Sequence, residues 1–458
     1  MVHEVYHMRI VIIGDGKVGS TLAKRLTGEG HDIVMIDHSS EVLTQSVNEL
    51  DIIGIQGNGA SYDVQEEAGV DKSDLLIAAT STDEVNILCC LVARKLGATH
   101  TIARVRNPAY TRQLSLMKDE LGLSLSVNPD IAAAAEISRI LRFPPALHIE
   151  TFVRGRVELV ETPVTSDSPL AGVYLHELFA RFHVRVLICA VQRGDEVIIP
   201  SGDFRIHAGD RISITASPPD IEAFFKAIGA AHVRIRNVML VGGGLIALHL
   251  SRMLLEMGMS VKIIEQDAER CQSLSEALPK ATVIRGDGTS QELLDEEGIS
   301  SMDAFAALTG IDEENIVMAM YAGANGVRKV ITKVERIRFS EILDRAGIGS
   351  VISAKNLTVN RILHYIRAME NATASGVETL TRIVNNRVEA LEFHVRDNAD
   401  FLGVPIVKMN FKKNLLIAAI VRAGKIIIPG ANDTFEFGDS IVVVTTNEQL
   451  ADLRDVFA

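Results

Sequence analysis

Short apolar runs alternate along the chain with longer stretches whose apolar residues recur every three or four positions. The first run, Arg9–Ile13, is followed by a helical pattern over Val18–Leu26. Strand Asp32–Ile36, helix Glu41–Val47, strand Asp51–Gln56, helix Ser61–Ala68 and strand Leu75–Ala79 come next. Helix Glu84–Leu96 and strand Thr101–Val105 continue the alternation, and strand Leu123–Val127 ends it. Near-continuous apolar strands separated by helices of this length predict a parallel, doubly wound sheet covered on both faces. An Ala-rich helix, "DIAAAAEISRILRF", follows, and Pro144-Pro145 stops it. The pattern then changes. "ETFVRGRVELVE" alternates as a half-buried strand does, and a helix is expected around "YLHELFAR". Strand, turn and strand in "VLICAVQRGDEVIIP" lead to "AGDRISITA", a strand that closes a small α+β module.

All of this happens twice. "RIVIIGDGKVGSTLAKRL" at Arg9 returns as "NVMLVGGGLIALHLSRML" at Asn237, with Gly14 and Gly16 on Gly242 and Gly244 and Asp37 on Glu265. "GNGAS" at Gly57 returns as "GDGTS" at Gly286; Thr80 falls on Thr309 and Arg104 on Lys333. In the small modules Gly194 pairs with Gly424 and Asp210 with Asp439. The expected order is large, small, large, small, over residues 8–128, 146–229, 235–352 and 375–458. The fold class is two tandem Rossmann-like domains, each followed by a small α+β domain.

Composition narrows the function classes. Lys and Arg total 46 against 59 Asp and Glu, a net charge of −13 without a sustained basic block, which argues against nucleic acid as a partner. Aromatics are 5% of the residues and Trp is absent, which argues against a stacking platform. The four cysteines (Cys89, Cys90, Cys189, Cys271) show no metal-binding spacing, and the adjacent Cys89 and Cys90, in an apolar helix, read as small core residues of a reduced protein. The polar opening "MVHEVYHMRI" is not a signal-peptide pattern, and Met8 reads as the structural start with residues 1–7 as an extension. No window approaches the ~18 consecutive apolar residues of a membrane span.

The chemistry sits in the glycines. A strand runs into Gly14-x-Gly16-x-x-Gly19, a helix opens, and Asp37 lies 23 residues beyond Gly14. Gly14 permits the tight turn, Gly16 lets a pyrophosphate approach the backbone, and Gly19 lets helix and strand pack closely. The helix N-terminus offers free N–H groups, and Asp37 can accept from ribose hydroxyls, which favours NAD(H) over its 2′-phosphorylated form. The second copy reads Gly242-x-Gly244-x-x-Ala247 with Glu265 as its acid, and Leu245 stands where the first copy has Lys17. Asn58 and Asp287 either line an adenine pocket or make a turn into the next helix. Thr80, Ser81 and Thr309 end the fourth strand of each sheet, where ligands of parallel sheets bind. Arg104 and Lys333 end the fifth, to meet a ligand phosphate, a subunit across a groove, or an acid at the surface. The thirteen histidines are scattered; His148, His183 and His207 lie in or near the first small module and read as exposed or core residues.

The blocks "GDGKVGSTLAKRL", "GNGAS", "ATSTDEVNILCCLVARKLGA" and "ARVRNP", in the tandem order, resemble the regulators of potassium conductance, also called RCK, KTN or TrkA-type domains. The resemblance covers nearly the whole chain. It implies a non-enzymatic cytosolic subunit, peripheral on the inner face of the membrane, that binds NAD(H) and, in some members, ATP or ADP. It also implies a homo-oligomeric ring, a dimer or tetramer of the tandem chain, under a Trk-type potassium-translocating subunit that it gates. The positions that match the family's nucleotide motif are Gly14, Asp15, Gly16, Lys17, Val18, Asp37, Thr80, Ser81 and Arg104. In the second copy they are Gly242, Gly243, Gly244, Leu245, Ile246, Glu265, Thr309 and Lys333, with Gly310 replacing Ser81. The competing classes are an NAD-dependent oxidoreductase, motivated by the fingerprint alone, and a ligand-sensing module of another cation transporter. The helix before Pro144, with its stripe Ile131, Ile137, Ile140 and Leu141, reads as a hinge or crossover element, or as a helix packed on its own domain.

Overall fold

The computed structural model describes residues 7–458 except 118–120, 144, 154, 230–234, 337–349, 374–376, 385–386, 396–400, 447–449 and 451. The residues expected as an N-terminal extension, save His7, and the first of the two prolines, Pro144, therefore lie outside the described residues. The chain divides into two units: the residues up to Ala134 with Ser353–Leu363, and Ala135–Ile352 with His364–Ala458.

The first unit holds β1 (Arg9–Ile13), α1 (Lys17–Gly28), β2 (Asp32–Asp37), α2 (Ser40–Glu49), β3 (Ile53–Gln56), α3 (Tyr62–Glu67), β4 (Leu75–Ala78) and α4 (Asp83–Leu96). β5 (His100–Arg104), α5 (Pro108–Met117) and β6 (Leu125–Val127) complete its sheet, and α6 (Pro129–Arg142) begins there. The strands are ordered β3-β2-β1-β4-β5-β6 and pair in parallel. The order reverses between β1 and β4, so a crevice opens beyond their carboxyl ends. Val11, Ile13, Leu76 and Ala78 pack against Cys89, Cys90 and Ala93 of α4. Asp83 and Glu84 in the first turn of α4 and Arg94 and Lys95 in its last complement the helix dipole, and Gly97 at φ +120° ends it. Helix α5 is absent from the sequence expectation; Pro108 opens it, a residue that costs nothing at a first helical position.

The first small domain follows in the second unit. It contains β7 (His148–Phe152), β8 (Val157–Pro163), α7 (Leu178–Phe182), β9 (Leu187–Arg193), β10 (Glu196–Ile198), β11 (Arg211–Ala216) and α8 (Pro218–Ala227). Two expectations are corrected here. "ETFVRGRVELVE" is a hairpin rather than one strand: β7 pairs antiparallel with β8, and the chain reverses through Val153 at φ +49° and Gly155 at φ +80°. The strand "AGDRISITA" does not close the module; α8 does, capped by Ser217 and carrying Phe224 and Phe225 into the core.

The second Rossmann-like domain repeats the first. It runs β12 (Asn237–Val241), α9 (Leu245–Glu256), β13 (Ser260–Glu265), α10 (Ala268–Ala277), β14 (Thr282–Arg285), α11 (Gln291–Glu296), β15 (Ala304–Ala307), α12 (Asp312–Ala324), β16 (Lys329–Lys333) and β17 (Ser350–Ile352). Its order is β14-β13-β12-β15-β16-β17. Helix α13 (Ala354–Thr373) leads to β18 (Val377–Ile383), β19 (Val388–His394), β20 (Leu415–Arg422), β21 (Lys425–Ile427) and β22 (Ser440–Thr445). The two small-domain sheets pack face to face through Phe152, Leu159, Cys189, Ala390, Ala418, Val442 and Val444. The alternation of each strand sends the intervening residues, such as Leu391 and Val443, to a separate outer core. Arg193 grips Asp210 with two bonds of 2.8 Å, and Arg422 grips Asp439 with two of 2.9 Å, so the repeat extends to buried ion pairs.

Both connecting helices are divided between the units. Residues of α6 from Ala135 onward belong with the second unit, and the start of α13 belongs with the first, where Arg25 donates to Asn360 Oδ1 at 3.0 Å. Ile137, Ile140 and Leu141 are buried and Ile131 half-buried. Among the described residues, no helix is long and apolar enough to cross a membrane, and no group of His, Cys, Asp and Glu is placed to hold a metal ion.

Candidate nucleotide-binding site

The loop after β1 reverses at Gly14, whose φ is +98° and whose N–H donates to the Ile36 carbonyl at 2.8 Å. Gly16 caps α1 in an extended conformation, and no atom lies within 4 Å of where its Cβ would be. A Cβ on Gly19 would lie 1.9 Å from the Gly14 carbonyl oxygen, so α1 is drawn against the loop as closely as a bare backbone permits. Gly16 and Lys17 are exposed and Val18 is half-buried, so the helix N-terminus faces open space.

Asp37, at the end of β2, accepts from the Asp15 N–H at 2.7 Å and the Ser39 N–H at 2.9 Å, while His38 Nδ1 stands 3.0 Å from its other side. Two carboxylate oxygens have capacity beyond these bonds, so Asp37 can still accept from a ligand hydroxyl. Asp15 is 3% exposed; its side chain is turned inward beside Ser46 rather than toward the mouth of the loop. Burial raises the Asp15 pKa, opposed by the Ser46 hydroxyl and reinforced by Asp37.

The second loop is built alike. Gly242 has φ +97°, Gly244 caps α9 with no atom within 4 Å of its Cβ position, and Glu265 accepts from the Gly243 N–H at 2.6 Å and the Asp267 N–H at 2.9 Å. A Cβ on Gly243 would meet Leu274 at 2.5 Å. Leu274 is the repeat partner of Ser46, so a Gly–Leu pair in one copy replaces an Asp–Ser pair in the other. Leu245 is half-buried and Ile246 buried, where Lys17 is exposed.

The carboxyl ends of β4 and β5 are joined by a buried asparagine. Asn86 Oδ1 accepts from the Thr80 N–H at 2.8 Å and its hydroxyl at 2.7 Å, and Asn86 Nδ2 donates to the carbonyls of Thr80 and Arg104 at 3.2 and 2.8 Å. Asn315 makes the same four bonds to Thr309 and Lys333, at 2.9, 2.8, 3.2 and 3.0 Å. Among the described residues Arg104 makes no surface ion pair: its Nη1 donates to the Thr80 carbonyl at 3.1 Å, and burial lowers its pKa. Ser81 and Gly310 are exposed beside these staples. Asn86 and Asn315 are the residues that sequence reasoning missed, although their recurrence in the repeat was visible. Asp83 and Asp312 act alike, accepting the N–H groups of Arg106 and Glu335 just past the fifth strands.

Asn58 and Asp287 are turn residues. Asn58 Oδ1 accepts from the Ala60 N–H at 3.0 Å, and Asp287 Oδ1 from the Thr289 N–H at 2.9 Å, each ahead of a short helix. Gly57 and Gly286 donate to the carbonyls of Asp37 and Glu265, which brings these turns beside the two acids.

Models of the TrkA-N domain match residues 10–129 and 238–354, and models of the TrkA-C domain match 159–229 and 390–458. The chain is 32% identical over 458 residues to the Trk system potassium uptake protein TrkA homolog 1 of Methanosarcina mazei, covering 98% of this chain and 100% of that protein. It is 33% identical over 450 residues to the TrkA homolog of Archaeoglobus fulgidus, with coverage of 98% and 100%. Among solved structures, the GsuK channel bound to NAD aligns with TM-score 0.63 at 18% identity, over 97% of this chain and 77% of that one.

Proposed function

The chain belongs to the TrkA family of tandem TrkA-N and TrkA-C domain proteins, and from that premise we propose a non-enzymatic regulatory subunit. It binds NAD(H) in its Rossmann-like clefts and, through their state, biases a potassium-translocating membrane protein. ATP or ADP is the alternative ligand at one of the two sites. The observation that carries the reading is the repetition of the whole cleft: glycine turn, open helix N-terminus, anchored acid and asparagine staple recur in both copies.

The cleft residues fit such a ligand. Gly16 and Gly244 leave room for a pyrophosphate at a helix N-terminus, and Asp37 and Glu265 stand where ribose hydroxyls would lie. Val18 and Ile246 shape the first helical turn, and Thr80, Ser81 and Thr309 edge the crevice. The ligand supplies a signal here rather than a hydride. A ligand shifts an equilibrium only by binding one state better than the other. Helices α6 and α13 are each divided between the two units. The chain acts as a homo-oligomer on the cytoplasmic face of the membrane.

Calorimetry of the full chain with NAD, NADH, ATP and ADP, with stoichiometry, tests the binding. Two sites per chain are expected. Steady NADH turnover with a small substrate would overturn the regulatory reading.

A further inference from the structure

The turn from α6 into β7 is held by charged groups that neither nucleotide loop involves. Glu136, on α6, is 1% exposed. Its Oε1 lies 3.2 Å from His148 Nδ1, and its Oε2 accepts from Arg139 at 2.6 Å. His148 Nε2 lies 2.8 Å from Oε1 of Glu150, on the same strand. On β8, Glu161 stands opposite His148 in register, with Arg211 of β11 at 4.0 Å from it. From β16, the buried Lys329 donates to the carbonyl of Ala146, two residues before His148.

A neutral imidazole carries one N–H and one lone pair. Nε2 hydrogen-bonds to Glu150 and Nδ1 stands at ion-pair distance from Glu136 without hydrogen-bond alignment, so the carboxylate beside each nitrogen favours the charged imidazolium over the neutral ring. Burial alone would favour the neutral ring, but Glu136 and then Glu150 outweigh it and hold the pKa well above the ordinary value. Burial would likewise raise Glu136, and His148 and Arg139 outweigh it in the other direction.

We propose that His148 is a protonation latch: as an imidazolium it ties the second half of α6 to β7, and its deprotonation on the alkaline side frees the turn between them. The sign follows from the shifts. A histidine raised on folding contributes fully below its ordinary pKa and loses that contribution as pH rises through the raised one. The lowered Glu136 loses its contribution only in acid, so the latch is closed through neutrality. The latch therefore sets how firmly the first small domain is held to the second half of α6.

The test follows histidine C2 hydrogen exchange in the full chain by mass spectrometry, which gives a titration midpoint for each histidine. The His148 midpoint is expected above the ordinary value and should fall toward it in Glu136→Gln and in Glu150→Gln. Backbone exchange at Ala146 and Leu147, corrected for intrinsic rates, should rise about tenfold or more above that midpoint. In His148→Asn it should be high at every pH. A midpoint at or below the ordinary value, or one indifferent to both glutamine variants, overturns the proposal. So does turn exchange that ignores the midpoint. Glu150 is half-buried, so Glu150→Gln keeps the test open should the substitution at buried Glu136 fail to fold.

Discussion

A methyl group on Gly19 separates the structural from the ligand-facing glycines. Its Cβ would lie 1.9 Å from the Gly14 carbonyl oxygen, against 3.4 Å for ordinary contact, so α1 must retreat by about 1.5 Å from a close-packed sheet. The fold can make that retreat, because the second copy carries a buried Ala247 at the same place. Overpacking costs roughly 1–3 kcal/mol, offset by about 1 kcal/mol for replacing glycine inside a helix. Gly19→Ala should therefore destabilise by at most about 2 kcal/mol, and the β-branched Gly19→Val by about 3 kcal/mol or more. Gly16→Ala meets nothing within 4 Å and has an extended backbone that alanine accepts. Its loss is confined to a poorer helix cap, about 0.5–1 kcal/mol. The ligand reverses the order: the Gly16 methyl projects into the space proposed for the pyrophosphate, so Gly16→Ala should fold and lose the first NADH site. Scanning calorimetry ranks the stabilities, and titration calorimetry counts the sites. The reasoning fails if Gly16→Ala binds NADH at two unaltered sites, or if Gly19→Val unfolds no earlier than Gly16→Ala.

Other substitutions read other parts of the site. Asp37→Ala removes the acceptor of the Asp15 and Ser39 N–H groups, at about 1–2 kcal/mol, and should weaken NAD(H) binding; unchanged calorimetric affinity would rule out a ribose role. Asn86→Ala strands the groups that tie β4 to β5 and should cost about 2–4 kcal/mol, measured by thermal unfolding. Burial alone would raise Asp210, yet Arg193 and the His207 N–H hold it below the ordinary carboxylate range. Its contribution is therefore present above that range and lost as pH falls. Arg193→Ala should move the acid unfolding midpoint to higher pH, and an unmoved midpoint would contradict the pairing. Burial pushes the Cys89 and Cys189 thiols up to about 12, so alkylation at pH 8 should mark half-buried Cys271 first. Cys271 donates to the Glu265 carbonyl, so NADH in the second cleft should slow its labelling; an unchanged rate argues that this cleft is not filled.

The doubled architecture was legible because period and punctuation agree. Apolar strands, glycine turns and helices of ordinary length recur in the same order at a nearly constant offset, and no tertiary contact is needed to see them. The glycines of the loops were equally visible, since backbone geometry at Gly14 and Gly19 admits no other residue without displacement. The side-chain roles were less so. Asn58 and Asp287 were open between ligand and turn, and the bonds they accept from nearby N–H groups are those of a turn, which spacing alone does not show. Asn86 is an ordinary helix residue by pattern, and its importance appears only when two strand ends converge on it. The hairpin at Val153 to Gly155 read as one strand because its polar alternation continues across the reversal. His148 has one partner two residues away and another on a preceding helix, a pairing that spacing does not announce.

The division of the helices bears on where the chain can be cut. The first unit is completed by Ser353–Leu363, a segment that the second repeat encodes. Severed between the copies, the first half therefore lacks a piece of its own unit, and co-expression of the second half should raise its yield of folded protein.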